Sequence, residues 1–129
     1  MIVRYLLEGV FFHMNIQYFK NYSPALGRDM ECKLYGQGGQ PILFIPCQDG
    51  RFFDFENFHM TDVWAPWIDS GEVTIFTVDT IDTETWSNTN GNPRWRICRH
   101  EDWFRYLTDE MVPFIHAKMR ECQSDYTDK

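Results

Sequence analysis

The sequence predicts an α/β fold in which strands and helices alternate. Two apolar runs, Ile42 to Ile45 and Val73 to Val78, lack polar alternation, which is typical of strands covered on both faces. A helical segment lies between them, and a longer helical pattern follows Pro93. Because a strand, a helix and a strand fit within one crossover, the two apolar strands are expected to be parallel neighbours.

Composition indicates one folded domain. The chain has 129 residues, of which 43% are hydrophobic, enough for a packed core. Its net charge of -7 argues against nucleic acid and anionic membranes as partners. The four cysteines form no CxxC pair, so reduced thiols in a cytoplasmic protein are the preferred interpretation, while a disulfide stays open.

The N-terminal region divides into an extension and two leading strands. Residues 1–13 are too short and too interrupted for a bilayer span or a signal peptide, and translation could start at Met1 or Met14. Strands are predicted from Asn15 to Phe19 and from Asp29 to Tyr35, with a turn between them. A glycine-rich turn then leads into the third strand, Ile42 to Ile45.

The C-terminal region predicts one long helix. The polar segment Thr80 to Asn92 is expected to be a loop, and Pro113 is expected to kink the helix that begins near Arg94. Residues 120–129 form a polar tail. Apolar spacing predicts that one helix face carries Ile97, His100, Phe104, Leu107, Met111 and Phe114 into the core.

Several common functional motifs are missing from the sequence. The glycine-rich turn at Gly36 to Gly39 precedes a strand, whereas a dinucleotide loop follows one. The four histidines have no HExxH spacing, so neither a metal nor a cofactor is predicted. No serine is flanked as GxSxG, so the chain offers no nucleophile on a strand-to-helix elbow.

The segment from Cys47 to Arg51 is the best candidate site. It leaves the carboxyl end of the predicted third strand and leads to a helix, which is where open α/β sheets bind ligands. In the structural alternative, Asp49 and Gly50 only turn the chain and Arg51 pairs with a nearby acid.

The order of these elements resembles the N-terminal half of an esterase of the α/β-hydrolase superfamily, in the group that contains S-formylglutathione hydrolases. The resemblance covers residues 14–119. It rests on the segments Tyr22 to Arg28, Pro41 to Arg51, Phe52 to Met60, Trp64 to Trp67, Val78 to Asp82, Trp86 to Ser87, Pro93 to Arg96 and Val112 to Ile115.

This resemblance implies a partial α/β-hydrolase sheet: two leading strands, then strand, helix, strand and helix, without the C-terminal strands. It implies an oxyanion-binding amide after the third strand, at Gln48 or Asp49, although many relatives have His-Gly there. We expect substrate contacts from Cys47, Gly50, Arg51 and Trp86. The substrate implied is a small carboxylic ester, and no catalytic nucleophile is carried over, so the fragment alone is expected to be inactive.

Two further interpretations remain open. A noncatalytic module could bind a small molecule or carbohydrate through Phe52, Phe53, Trp86 and Trp95, or the chain could be a gene remnant. In the resembled fold the third strand lies beside a strand that this sequence lacks. Self-association through Ile42 to Ile45 is therefore also expected.

Overall fold

A computed structural model describes residues 4–7 and 10–128 of the chain, with side chains described from Met14 to Asp128. The first described elements are the antiparallel strands β1 (Arg4–Leu7) and β2 (Val10–His13), which lie within the predicted N-terminal extension. A separate four-stranded sheet follows. It contains β3 (Ile16–Ser23), β4 (Arg28–Tyr35), β5 (Gln40–Phe44) and β6 (Val73–Val78).

The four-stranded sheet is mixed and has the order β3-β4-β6-β5. The pairs β3/β4 and β4/β6 are antiparallel, whereas β5 and β6 are parallel, with Ile42 opposite Ile75. The predicted antiparallel pair and the predicted parallel pair are therefore both confirmed. Strand β5 has one hydrogen-bonded neighbour among the described residues, so it lies at an edge of the sheet.

Helices cover both faces of this sheet. On one face lie α1 (Asp54–Asn57) and α2 (Met60–Asp69), whose Phe55, Ala65 and Ile68 pack against Tyr35 and Ile75. On the other face lies a long helical segment consisting of α3 (Pro93–Arg105), a π-helical stretch (Tyr106–Met111) and α4 (Val112–Cys122). All six residues of β6 are buried, which explains why its sequence shows no polar alternation.

The second core lies between the sheet and the long helical segment. Strand β4 contributes Met30, Cys32 and Leu34, because alternate residues of a strand point to the same face. The helical segment contributes Tyr106, Leu107, Met111, Ile115 and Met119.

The predicted core face of the long helical segment is partly wrong. Leu107 and Met111 are buried, but Ile97 is 46% exposed and Phe104 is 58% exposed. The half-buried side chains of α3 are Arg96, Arg99, His100, Asp102 and Trp103, so of the residues predicted for the core face in this helix only His100 is half-buried. The kink predicted at Pro113 stays a prediction, but the helix is irregular just before it, since the π-helical stretch ends two residues before this proline. Pro113 has no amide to donate to the carbonyl four residues earlier.

In the part of the chain that the structure describes, no helix combines the length and apolar character needed to cross a bilayer. All four cysteines are free thiols: Cys32 is buried, Cys122 is half-buried, and Cys47 and Cys98 are exposed.

Candidate functional site

The candidate site forms where two loops meet at the carboxyl edge of the parallel strands. Strands β5 and β6 end side by side, so the loop of residues 45–53 that follows β5 contacts the loop of residues 79–92 that follows β6. We call these the β5 loop and the β6 loop. The antiparallel strand β4 begins at the same edge. Together they border an open cleft of about 400 Å³, lined by Met30, Glu31, Asp49, Arg51, Asp79 and Asp82 among others.

The β5 loop contains a tight turn from Cys47 to Gly50. The Gly50 amide donates to the Cys47 carbonyl oxygen over 2.8 Å. Asp49 has a φ of 59°, in the left-handed region that few residues other than glycine adopt. Gly50 is required sterically, because a Cβ at this position would lie 2.5 Å from Pro46 Cβ and 2.7 Å from the Cys47 carbonyl oxygen.

The β6 loop holds this turn in place. Asp82 Oδ2 accepts a hydrogen bond from the Asp49 amide over 3.0 Å. The Ser87 hydroxyl donates to Asp49 Oδ1 over 2.7 Å and accepts from Gln48 Nε2 over 2.8 Å. These contacts offset the unfavourable backbone conformation of Asp49. Sequence reasoning missed both partners, because they lie 33 to 39 residues away along the chain.

The two predicted oxyanion amides therefore differ. The Asp49 amide is already used by Asp82. The Gln48 amide has no acceptor among the described residues, and Gln48 is exposed, directly before Asp49, which lines the cleft. Of the two, only Gln48 keeps a free N–H that could donate to a ligand, and its role as an oxyanion donor stays a prediction.

Arg51 anchors the end of the β5 loop. Its Nε donates to Asp79 Oδ1 over 2.9 Å, and one terminal nitrogen lies 3.2 Å from Glu31 Oε1. The hydrogen bond with Asp79 raises the pKa of Arg51 above its ordinary value, against the opposing effect of burial. Asp79 is 8% exposed and also accepts from the Phe52 amide over 2.8 Å. This is the ion pair expected of the structural alternative, and it commits much of the guanidinium to the fold.

A second recess adjoins the turn on the side of α3. It has a volume of about 200 Å³ and is lined by Thr85, Trp86, Pro93, Arg96, Ile97 and His100. The Trp86 and His100 rings meet edge to face with centroids 5.1 Å apart. Arg96 fixes the loop backbone by donating to the Thr85 carbonyl over 2.7 Å and to the Trp86 carbonyl over 3.1 Å. Because Ser87 follows Trp86, the recess lies next to the Gln48 contact.

The remaining predicted contact residues fall in different environments. Cys47 is exposed within the turn, whereas Gly50 is buried and its carbonyl accepts from the Thr80 hydroxyl over 2.9 Å. Phe52 is 7% exposed and packs against Tyr18 and Phe53, so it cannot grip a ligand as the binding-module hypothesis required. Trp86 and Trp95 are exposed. Among the described residues, no group of three or more His, Cys, Asp or Glu side chains could hold a metal ion.

Comparison with known proteins supports the fold. No protein-family model and no curated protein matches the chain. A solved structure of a ferulic acid esterase is similar with a TM-score of 0.61 and 16% identity, over 84% of this chain and 45% of that one. An uncharacterised protein from Capnocytophaga ochracea DSM 7271 is similar with a TM-score of 0.53 and 15% identity, over 81% of this chain and 30% of that one. S-formylglutathione hydrolase FrmB from Staphylococcus aureus has a TM-score of 0.47 and 6% identity, over 74% of this chain and 42% of that one.

This chain therefore spans less than half the length of each of these three proteins. At these identities the likeness concerns the fold alone. The resemblance to esterase structures that the sequence predicts is confirmed at that level.

Proposed function

We propose that this chain forms the N-terminal portion of an α/β-hydrolase domain that cleaves carboxylic esters by a Ser-His-Asp mechanism, and that it supplies the oxyanion loop. The observation that carries the proposal is the free Gln48 amide at the carboxyl end of β5, in a sheet whose fold matches an esterase structure. The nucleophile belongs to the part of such a domain that residues 1–129 do not span.

The chemistry assigned to Gln48 is stabilisation of negative charge. When a serine attacks an ester, the carbonyl oxygen becomes an oxyanion, and a fixed N–H lowers the barrier because it needs no reorganisation. The turn is suited to this role, since Asp82 holds the amide that follows the donor and Ser87 holds the side chains of Gln48 and Asp49. The neighbouring Trp86 and His100 recess would then bind an apolar group of the ester.

The loop amide cannot perform this reaction without a nucleophile and its base. Residues 1–129 on their own are therefore expected to hydrolyse p-nitrophenyl acetate no faster than buffer. Turnover that resisted repurification would contradict the proposal.

The first experiment is to sequence the coding DNA beyond the codon for Lys129, in all three frames. We expect an apolar strand followed by GxSxG, and the extended protein should hydrolyse p-nitrophenyl esters until that serine is replaced by alanine. If no such segment follows, the proposed esterase role is wrong.

The role of Gln48 can be tested separately in the extended protein with two substitutions. Gln48→Pro removes the N–H, and proline is accepted at the second position of a four-residue turn, which Gln48 occupies. Gln48→Ala keeps the N–H and is the matched control. We expect the proline variant to lose roughly 100- to 1,000-fold in kcat, the effect of one oxyanion donor, and the alanine variant to stay near wild type. Equal activities would show that this amide does not contact the oxyanion.

A further inference from the structure

A third cavity lies on the opposite side of the molecule from the β5 edge. It opens between the β3 and β4 strands and the π-helical stretch, and its volume is about 270 Å³. Its walls are mainly apolar, with Met30, Cys32, Met111 and Phe114 prominent among them. Four side chains with polar groups also line it: Asn21, Tyr22, Tyr106 and Glu110.

Tyr106 is the unusual member of this lining. It is 4% exposed, yet its hydroxyl makes no hydrogen bond to any residue that the structure describes. Buried tyrosine hydroxyls usually have a partner. In the described region, two polar side-chain atoms are fully enclosed and have no hydrogen-bond partner: Asp69 Oδ1 and Arg99 Nε. The Tyr106 hydroxyl is not one of these two atoms, so it is not fully enclosed. It therefore borders open space, and Tyr106 is one of the residues that line the cavity.

The π-helical stretch explains how these groups come together. A π turn is wider than an α turn, so residues four and five positions after Tyr106 lie on the same side of the helix. Those residues are Glu110 and Met111, which both face the cavity. Glu110 is tied to the opposite wall, because its Oε2 accepts from the Ser23 hydroxyl over 3.1 Å and from the Ala25 amide over 2.9 Å.

We propose that this cavity binds a small uncharged aromatic molecule that has one oxygen accepting a hydrogen bond from the Tyr106 hydroxyl. Burial raises the pKa of Tyr106, so the hydroxyl is protonated at neutral pH and can donate. The Glu110 carboxylate disfavours an anionic ligand. The volume exceeds the roughly 150 Å³ that accommodates benzene in an engineered cavity and lies just below the range of drug-sized pockets, which suits a single substituted ring.

The probes are p-cresol and toluene, which have similar shapes and differ by one hydroxyl. Methionine methyl groups labelled with ¹³C report the site, because Met111 lines this cavity, Met30 lines both this cavity and the 400 Å³ cleft, and Met60 packs in the other core. We expect p-cresol to shift the Met30 and Met111 signals saturably and to leave Met60 unchanged. Toluene should bind at the same place roughly fivefold more weakly, the ratio expected for one net hydrogen bond.

Tyr106→Phe tests the hydrogen bond directly. The variant should bind toluene as the wild type does and p-cresol no more tightly than toluene. Equal affinities of the wild type for the two probes would overturn the proposal, as would shifts confined to signals outside the cavity. The comparison of the two probes needs only the wild-type protein, so it holds even if the variant folds poorly. Ester hydrolysis plays no part in either measurement.

Discussion

Replacing Tyr35 with phenylalanine should destabilise the protein more than its small chemical change suggests. Tyr35 is fully buried, and its hydroxyl donates to Glu56 Oε1 over 2.6 Å. The same oxygen accepts from Lys33 Nζ over 2.6 Å, which links β4 to α1. Tyr35→Phe removes one of these two hydrogen bonds and keeps the ring, which packs against Phe55 with centroids 5.0 Å apart.

The expected magnitude follows from the charge of the acceptor. A hydrogen bond to a charged group contributes about 1.5–3 kcal/mol to stability, roughly twice the contribution of a neutral bond. For a chain of this size, that corresponds to a fall in Tm of roughly 5–15 °C. Urea unfolding followed by circular dichroism measures the free energy, and a thermal scan measures Tm.

Tyr106→Phe is the matched control. Its hydroxyl is also in a buried ring but has no partner among the described residues, so its removal should change the free energy of unfolding by less than about 0.5 kcal/mol. A Tyr35→Phe variant as stable as the wild type, or as stable as Tyr106→Phe, would refute the reasoning.

Substitutions at three other positions have expected outcomes. Burial would raise the pKa of Glu56, but hydrogen bonds from Lys33 and Tyr35 outweigh it and hold the pKa below its ordinary value. The ionised Glu56 therefore contributes its full stabilisation above its pKa in the unfolded chain, about 4.3. This stabilisation is lost as the pH falls through the lower pKa of Glu56 in the folded protein. Urea titrations from pH 7 to pH 3 should show a smaller acid loss in Glu56→Gln than in the wild type. Arg51→Ala should lower the free energy of unfolding by about 1–3 kcal/mol in the same assay, because it leaves the Asp79 carboxylate without its cation. Arg51→Lys keeps a cation at this position and should lose less stability than Arg51→Ala. Gly50→Ala should lower Tm by several degrees, because its Cβ would overlap Pro46.

The sequence was sufficient to predict two strand pairs of the sheet, although only β6 is buried throughout and β5 is half-buried at the edge. Strands β5 and β6 and the crossover between them follow from two unbroken apolar runs and their spacing. The long helical segment was less predictable. Ile97 and Phe104 fit a regular core-facing spacing, but they lie one position past the residues that face the protein, and apolar spacing alone cannot fix that rotation.

The candidate site was predictable in position but not in detail. The position of the site follows from a strand that leads into a helix, and the turn follows from the residues Asp49 and Gly50. Which amide is free depends on Asp82 and Ser87, whose contacts exist only because the parallel pairing brings the two loops together. Such long-range side-chain contacts have no period or motif, so the choice between Gln48 and Asp49 needed the folded structure.

The edge strand β5 leads to a final prediction, that purified chains associate in pairs. Ile45, just after the strand, is 48% exposed, and an unpaired apolar edge is a template for another strand. Pro41 opposes this pairing, because it lacks an N–H and proline is typical of edge strands, so we expect weak association. Sedimentation velocity from about 1 to 200 μM should show a dimer that grows with concentration. Ile45→Lys should weaken that dimer, whereas Val63→Lys, at a position 60% exposed on α2, should not. A monomer at every concentration would count against the predicted association, and an equal effect of both lysines would place the contact elsewhere.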